Sequence, residues 1–129
     1  MFSATFPEKI QEAAQAYLRE YVFVIIGILG SATTEITQEF LEVSREEKTA
    51  TLIKLLQDEN SKEKAIVFCA TRIGTDYLAS ILSKNEISAT CIHGDRLQIQ
   101  REQALREFMK DQRRVLVATA VAARGLGKQ

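Results

Sequence analysis

The sequence lacks an excess of charge of either sign, and it lacks any long apolar run. Lysine plus arginine and aspartate plus glutamate both number 17 among 129 residues, so the formal net charge is zero. The sequence therefore lacks the excess of basic charge that would indicate a nucleic-acid partner. Helix N-termini and a few local arginines can nevertheless hold phosphates without such an excess. The longest apolar run, residues 21–29, is far shorter than the ~20 residues of a transmembrane helix, and we expect no membrane partner.

Cysteine and histidine are also scarce. Cys69 and Cys91 lie within apolar, strand-like runs, and the first residues contain no basic stretch typical of a secretory leader. We therefore expect reduced, buried thiols in a cytoplasmic or nuclear protein. The single histidine, His93, has no second histidine and no Cys-x-x-Cys nearby, so we expect no metal site. Its predicted role is to orient the loop ahead of Gly94.

Helical and strand patterns alternate along the chain. Apolar residues at helical spacing predict an amphipathic helix that begins with Pro7 at its first position, and three more helices follow later in the sequence. Strands are predicted at residues 21–26, 36–43, 65–69, 89–92 and 115–118. The later strands are separated by helices, which predicts an α/β fold with a parallel sheet and right-handed crossovers.

Polar residues follow each of the last three predicted strands. They are Thr71 and Arg72 after the first, residues 93–96 (His-Gly-Asp-Arg) after the second, and Thr119 after the third. Because the carboxyl ends of parallel strands meet at one edge, these residues are predicted to form a phosphate-binding edge. Taken alone, Thr71 and Asp95 would also serve as N-caps of the helices that follow; their clustering at one edge favours ligand binding, and both alternatives stay open.

Four stretches resemble the motifs of DEAD-box RNA helicases. Residues 119–126 read Thr-Ala-Val-Ala-Ala-Arg-Gly-Leu and resemble the fifth motif, Thr-x-x-Ala-(Ala/Ser)-Arg-Gly-Leu-Asp, although Gly127 stands where the family has aspartate. Residues 2–7 resemble the third motif, Ser-Ala-Thr within Phe-Ser-Ala-Thr-Phe-Pro. Residues 65–71 resemble the fourth motif, and residues 98–101 match its companion pattern Gln-x-x-Arg. Within the family the sequence is most similar to the Vasa branch, with the Ded1-like branch second.

The resemblance implies a fold and a domain organisation. Residues 1–26 would be the C-terminal end of a first RecA-like domain, and residues 27–35, which contain two glycines and small polar residues, would be an interdomain linker. Residues 36–129 would be a truncated second RecA-like domain, the helicase C-terminal domain. The chain would then begin within a longer protein, located in the cytoplasm, including ribonucleoprotein granules, or in the nucleus.

The resemblance also implies roles for individual residues. Three of them, which would hold RNA phosphates, are Thr71, Arg101 and Thr119. Arg124 would couple the two domains, while Gly125 and position 127 would approach the ribose of ATP. Ser3 and Thr5 would couple the ATP state to the RNA state, although a turn at a strand end also needs small hydroxyl residues.

Several helicase motifs are missing from this sequence. It contains no Gly-x-x-x-x-Gly-Lys-Ser/Thr phosphate loop, no Asp-Glu-Ala-Asp and no arginine-rich sixth motif. We expect ATP and Mg²⁺ to be bound by the intact protein and neither by this chain alone, which we expect to be inactive as an ATP hydrolase. The expected partners are single-stranded or duplex RNA and a first RecA-like domain in cis. The alternative is a non-catalytic RecA-like module that binds RNA or protein, in which Gly127 is a genuine loss.

Overall fold

The computed structural model describes residues 6–26, 36–58 and 63–120. The chain divides into two compact units, Met1–Leu41 and Glu42–Gln129. The described elements, in chain order, are α1 (Glu8–Tyr17), α2 (Lys48–Gln57), β1 (Ala65–Cys69), α3 (Arg72–Lys84), β2 (Ala89–Ile92), α4 (Gln98–Met109) and β3 (Val115–Thr119). None of the helices in these ranges has the length and hydrophobicity of a membrane-spanning segment.

The second unit contains a parallel three-stranded sheet in the order β1-β3-β2. Ala65 pairs with Val115 at one end of the β1–β3 ladder and Cys69 pairs with Thr119 at the other, while Ile92 of β2 pairs with Ala118. The predicted parallel α/β architecture is therefore confirmed. Parallel pairing also brings the carboxyl ends of all three strands to one edge.

Side chains of the central strand alternate between two hydrophobic cores. Val115 and Val117 pack with Leu56 of α2 and Leu82 of α3. Leu116, Ala118 and Ile92 pack instead with Phe108 of α4. Because successive side chains of a strand point to opposite faces, α3 and α4 cover opposite faces of the sheet. All four β3 residues from Val115 to Ala118 are fully buried, which explains their lack of polar alternation.

Strand β1 differs from its prediction as a buried strand. Ala65, Val67 and Cys69 pack against the α2–α3 core, whereas Ile66 and Phe68 are 41% and 62% exposed. The exposed pair lies on the face covered by α4, since Ile66 is the register partner of Leu116 and Phe68 that of Ala118. Helix α4 packs over β2 and β3, so this face of β1 stays open within the described part of the chain.

Two predicted strands do not form within the described residues. Residues 21–26 and residues 36–43 are extended but unpaired, and only Val43 among them is partly buried. The reason is that a strand exists only when another strand satisfies its backbone hydrogen bonds, which residue composition cannot supply. In the first unit, Phe6 and Phe23 stack with their ring centroids 5.0 Å apart.

Helix α1 forms where helical spacing predicted it, with two differences. Pro7 is the N-cap residue rather than the first helical residue, and its carbonyl accepts hydrogen bonds from the N–H groups of Ile10 and Gln11. Ala14 of the predicted apolar face is buried, but Tyr17 is 86% exposed. The predicted linker, residues 27–35, lies outside the described residues, and the predicted domain boundaries stay a prediction.

Candidate nucleic-acid interface

Two loops and the end of β3 meet at the carboxyl edge of the sheet. Thr71 lies two residues beyond the end of β1, residues 93–97 connect β2 to α4, and Thr119 is the last residue of β3. Helices α3 and α4 both begin at this edge, at Arg72 and Gln98. The three predicted RNA-binding residues that the structure describes are thus placed on neighbouring segments of one edge.

Thr71 is the N-cap of α3, as one of its two alternative roles predicted. Its Oγ1 accepts a hydrogen bond from the Gly74 backbone N–H at 3.0 Å, and its backbone carbonyl accepts one from the Thr75 hydroxyl at 2.8 Å. A Cβ atom at position 74 would lie 2.8 Å from this hydroxyl, so glycine is what permits the close approach. As an acceptor, the exposed Thr71 hydroxyl keeps its own hydrogen free to donate.

Arg101 lies in the first turns of α4. Its Nη1 donates to Gln98 Oε1 at 3.1 Å, and its Nε is buried without a hydrogen-bond partner. Within the described residues Arg101 has no carboxylate partner, whereas Arg72 and Arg96 at the same edge each have one. At the start of α4, Arg101 therefore keeps a positive charge that no carboxylate of the described residues pairs with, since a guanidinium remains protonated.

Thr119 ends the central strand. It is partly buried and pairs in register with Cys69 of β1, next to the Thr71 loop. A hydroxyl at this point can donate to an oxygen of a ligand at the edge.

The predicted cap at Asp95 is wrong. Asp95 instead forms an ion pair with Arg72, and the N-cap of α4 is Leu97. The Leu97 backbone N–H is satisfied from inside the helix, because it donates to Gln100 Oε1 at 3.1 Å. The reason is distance along the chain: Asp95 lies two residues before the helix boundary, while the start of α3 offers it a guanidinium.

Asp76 of α3 is at the centre of a polar cluster that the sequence did not reveal. Its Oδ1 accepts hydrogen bonds from Arg96 Nη2 at 2.9 Å and from Cys91 Sγ at 3.3 Å, and its Oδ2 lies 2.9 Å from His93 Nε2. Partial burial favours the neutral acid, but the contacts with Arg96, His93 and Cys91 outweigh burial and lower the pKa of Asp76 to about 2. The carboxylate is therefore ionised at neutral pH.

The same cluster contains three potential metal ligands. One ligand atom each from Asp76, Cys91 and His93 lie within 4.8 Å of one another. Burial and the neighbouring Asp76 carboxylate raise the pKa of the Cys91 thiol to about 11, whereas a metal-binding cysteine must lose its proton. Arg96 also occupies one oxygen of the carboxylate. These contacts describe an ion-pair network, and the absence of a metal site stays a prediction.

His93 is nearly fully buried at the end of β2, in agreement with a role in orienting the loop. Its Nε2 approaches Asp76 without the alignment of a hydrogen bond, and its Nδ1 has no partner among the described residues. Cys69 and Cys91 are free thiols. Burial raises the pKa of the Cys69 thiol as well, so both thiols are protonated at neutral pH.

Five predicted site residues lie outside the described residues. They are Ser3 and Thr5, Arg124, and the predicted ATP-binding residues Gly125 and Gly127. Their roles stay predictions from the motif resemblance.

Comparison with known proteins identifies the family to which the sheet-containing unit belongs. Residues 47–128 match the family model described as helicase conserved C-terminal domain. The chain is 52% identical over 126 residues to the ATP-dependent RNA helicase vasa of Drosophila melanogaster, a match covering 98% of this chain and 19% of the relative. It is 46% identical over 129 residues to a probable ATP-dependent RNA helicase vasa-like of Penaeus vannamei, covering 98% and 18%.

A solved structure gives the same result for the fold. The DEAD box protein from the hyperthermophile Methanococcus jannaschii superimposes with a TM-score of 0.67 at 37% identity, covering 96% of this chain and 32% of that one. The chain spans about a fifth of the length of the curated relatives it matches.

Proposed function

The chain belongs to the Vasa-like DEAD-box RNA helicases and contains their helicase conserved C-terminal domain, and from this premise we propose that it provides the RNA-backbone contacts of that domain. In the intact protein this domain and a first RecA-like domain close over ATP and a single RNA strand. Closure bends the strand and separates short duplexes locally. Binding and hydrolysis of ATP would supply the energy for this closure.

The observation that carries the proposal is the set of free donors at the carboxyl edge. The Thr71 hydroxyl keeps its hydrogen while capping α3, and Arg101 keeps its charge while Arg72 and Arg96 at the same edge are paired with carboxylates. Thr119 adds a hydroxyl at the end of the central strand. Hydroxyl and guanidinium donors bind phosphate oxygens without reading bases, so binding is expected to tolerate any sequence.

The residues that would hold the ATP phosphates and Mg²⁺ are not among those of this sequence, which has neither the phosphate loop nor Asp-Glu-Ala-Asp. We propose that Arg124 reaches across to the first domain and that Gly125 and position 127 border the ribose. Ser3 and Thr5 would transmit the ATP state to the RNA site. Each of these roles rests on the motif match alone.

Arg101→Ala in the intact protein tests the backbone contact. Loss of a hydrogen bond to a charged group costs ~1.5–3 kcal/mol, so affinity for single-stranded RNA should fall about tenfold to a hundredfold. The loss should be equal for unrelated RNA sequences. Removing one phosphate contact should also make the logarithmic salt dependence of binding shallower by about 0.7.

Arg106→Ala is the matched control, because Arg106 is an exposed arginine in the last turn of the same helix, away from the edge. It should leave RNA affinity nearly unchanged. Equal losses for the two variants would indicate bulk charge instead of a defined contact, and a loss that varies with base sequence would contradict a backbone contact. If neither variant changes RNA affinity, the proposed phosphate contact of Arg101 is refuted.

A further inference from the structure

The Asp76 carboxylate connects α3 with the loop that precedes α4. Asp76, in the second turn of α3, accepts a hydrogen bond from Arg96 Nη2 at 2.9 Å and lies 2.9 Å from His93 Nε2. The side chains of Arg96 and His93 are one-third and one-twentieth exposed and that of Asp76 is 48% exposed, so these contacts are partly shielded from water. Both belong to residues 93–97, the segment between β2 and α4.

The first turn of α4 has little other anchorage. Leu97 and residues 98–100 are exposed, and the first fully buried residue of the helix is Ala104. The hydrophobic core therefore fixes the middle and the end of α4 but not the turn that leads to Arg101. What holds this turn must come from the loop before it.

A second ion pair connects the same segments with less shielding. Arg72, in the first turn of α3, pairs with Asp95, and both side chains are about 60% exposed. Exposed pairs contribute little and are screened by salt. The contacts of Asp76 therefore contribute more to the position of the loop than the Arg72–Asp95 ion pair does.

We propose that Asp76 is a positioning residue for RNA binding: it holds residues 93–97, and through them the first turn of α4, so that Arg101 and Thr71 contact the same RNA strand. Thr71 caps the helix that carries Asp76, and Arg101 follows the loop that Asp76 holds. Asp76 itself touches no RNA. The inference rests on the proposed phosphate contacts of Thr71 and Arg101.

The size of the effect follows from the population of the correct loop position. Apparent affinity falls in proportion to the fraction of molecules in the binding-competent conformation. If Asp76→Asn leaves the loop correctly placed in a third to a tenth of molecules, RNA affinity falls about threefold to tenfold. Asparagine keeps the size of the side chain, so the change removes charge and leaves packing intact.

The test compares four forms of the intact protein: wild type, Asp76→Asn, Arg101→Ala and the double variant. Asp76→Asn should weaken single-stranded RNA binding about threefold to tenfold and leave the ATP Michaelis constant unchanged. Because Asp76 acts through Arg101, the double variant should bind no more weakly than Arg101→Ala alone. Amide hydrogen exchange without RNA should accelerate at Arg96, Gln100 and Arg101, whose N–H groups donate to loop carbonyls.

Asp111→Asn is the control for a purely structural effect. It breaks the ion pair between Asp111 and Lys64, whose charged atoms are 2.8 Å apart. This pair lies at the amino ends of the strands, away from the carboxyl edge. Asparagine also tolerates the positive φ of 60° at position 111. It should leave both RNA affinity and exchange at residues 96–101 unchanged.

The outcomes separate this inference from the function on which it rests. If Arg101→Ala does not weaken RNA binding, the phosphate contact is refuted, and the inference falls with it. If Arg101→Ala weakens binding but Asp76→Asn changes neither affinity nor exchange, the inference alone is overturned. Additive losses in the double variant would likewise show that Asp76 does not act through Arg101.

Discussion

At the scale of single residues, Thr71 shows how one side chain can serve the fold and the ligand together. Capping uses a lone pair of the hydroxyl oxygen, whereas phosphate binding uses the hydroxyl hydrogen. The two roles that the sequence left as alternatives are therefore compatible. Substitutions that change one of these atoms at a time can separate them.

Thr71→Asp should keep the cap and lose the RNA contact. Aspartate is as good an N-cap as threonine, so the free energy of unfolding should change by less than ~0.5 kcal/mol. It has no donor at neutral pH and repels phosphate, so RNA affinity of the intact protein should fall at least about tenfold. Urea unfolding and RNA titration measure the two effects.

Thr71→Ser and Thr71→Ala complete the series. Serine retains acceptor and donor and should preserve both properties, while alanine loses both and should cost ~0.5–2 kcal/mol of stability through the lost cap. RNA affinity of Thr71→Asp equal to that of Thr71→Ser would show that the hydroxyl does not contact RNA.

Sequence motifs singled out Thr71, Arg101 and Thr119 as candidate RNA-binding residues, and they gave no indication of Asp76. A motif preserves spacing along the chain, and Asp76 meets partners that lie 15 to 20 residues away in sequence. Asp76 occupies an exposed helical position that resembles any solvated acidic residue. Only the packing of α3 against β2 reveals that Cys91, His93 and Arg96 converge on it.

At the scale of elements, strand prediction succeeded for the three runs that pair with one another in the sheet. Residues 65–69, 89–92 and 115–118 all form strands, although Ile66 and Phe68 of the first are exposed. Residues 21–26 are as rich in β-branched and aromatic residues, yet they stay unpaired within the described ranges. Amino-acid composition shows that a segment can form a strand, but whether the strand forms depends on a neighbouring strand with which it can pair.

Leu116 and Ile66 are register partners on the same face of the sheet and should differ in their importance for stability. Leu116 is fully buried against Phe108, so Leu116→Ala should lower the free energy of unfolding by ~2–5 kcal/mol. Ile66 is 41% exposed, and Ile66→Ala should cost less than half as much because less apolar surface is lost.

Denaturant unfolding of the two variants measures this difference. Equal losses would mean that the α4 face of β1 is covered, contrary to its observed exposure.

At the scale of the whole molecule, acidic and basic side chains balance in number, and several of them form ion pairs with one another. The chain has equal numbers of acidic and basic residues, and Asp95 and Asp76 form ion pairs with Arg72 and Arg96 at the carboxyl edge. An RNA contact here would depend on one partly buried guanidinium and two hydroxyls, so a search for basic surface would miss it. Attachment to RNA must then be shared with the rest of the intact protein.

We expect catalysis also to require both this chain and the rest of the intact protein. This 129-residue chain contains residues predicted to border RNA and ribose, but no phosphate loop and no Asp-Glu-Ala-Asp. Positioning of the phosphates and Mg²⁺ supplies most of the catalysis in phosphoryl transfer, so residues at the ribose and RNA cannot replace them. The isolated chain should therefore release no phosphate from ATP, with or without RNA, above a control without protein. Joined in one polypeptide to a first RecA-like domain, it should support RNA-stimulated hydrolysis, and Arg101→Ala should raise the RNA concentration needed for half-maximal stimulation. Hydrolysis that persists in the isolated chain after repurification would contradict this expectation, because it would require a phosphate site that the sequence does not contain.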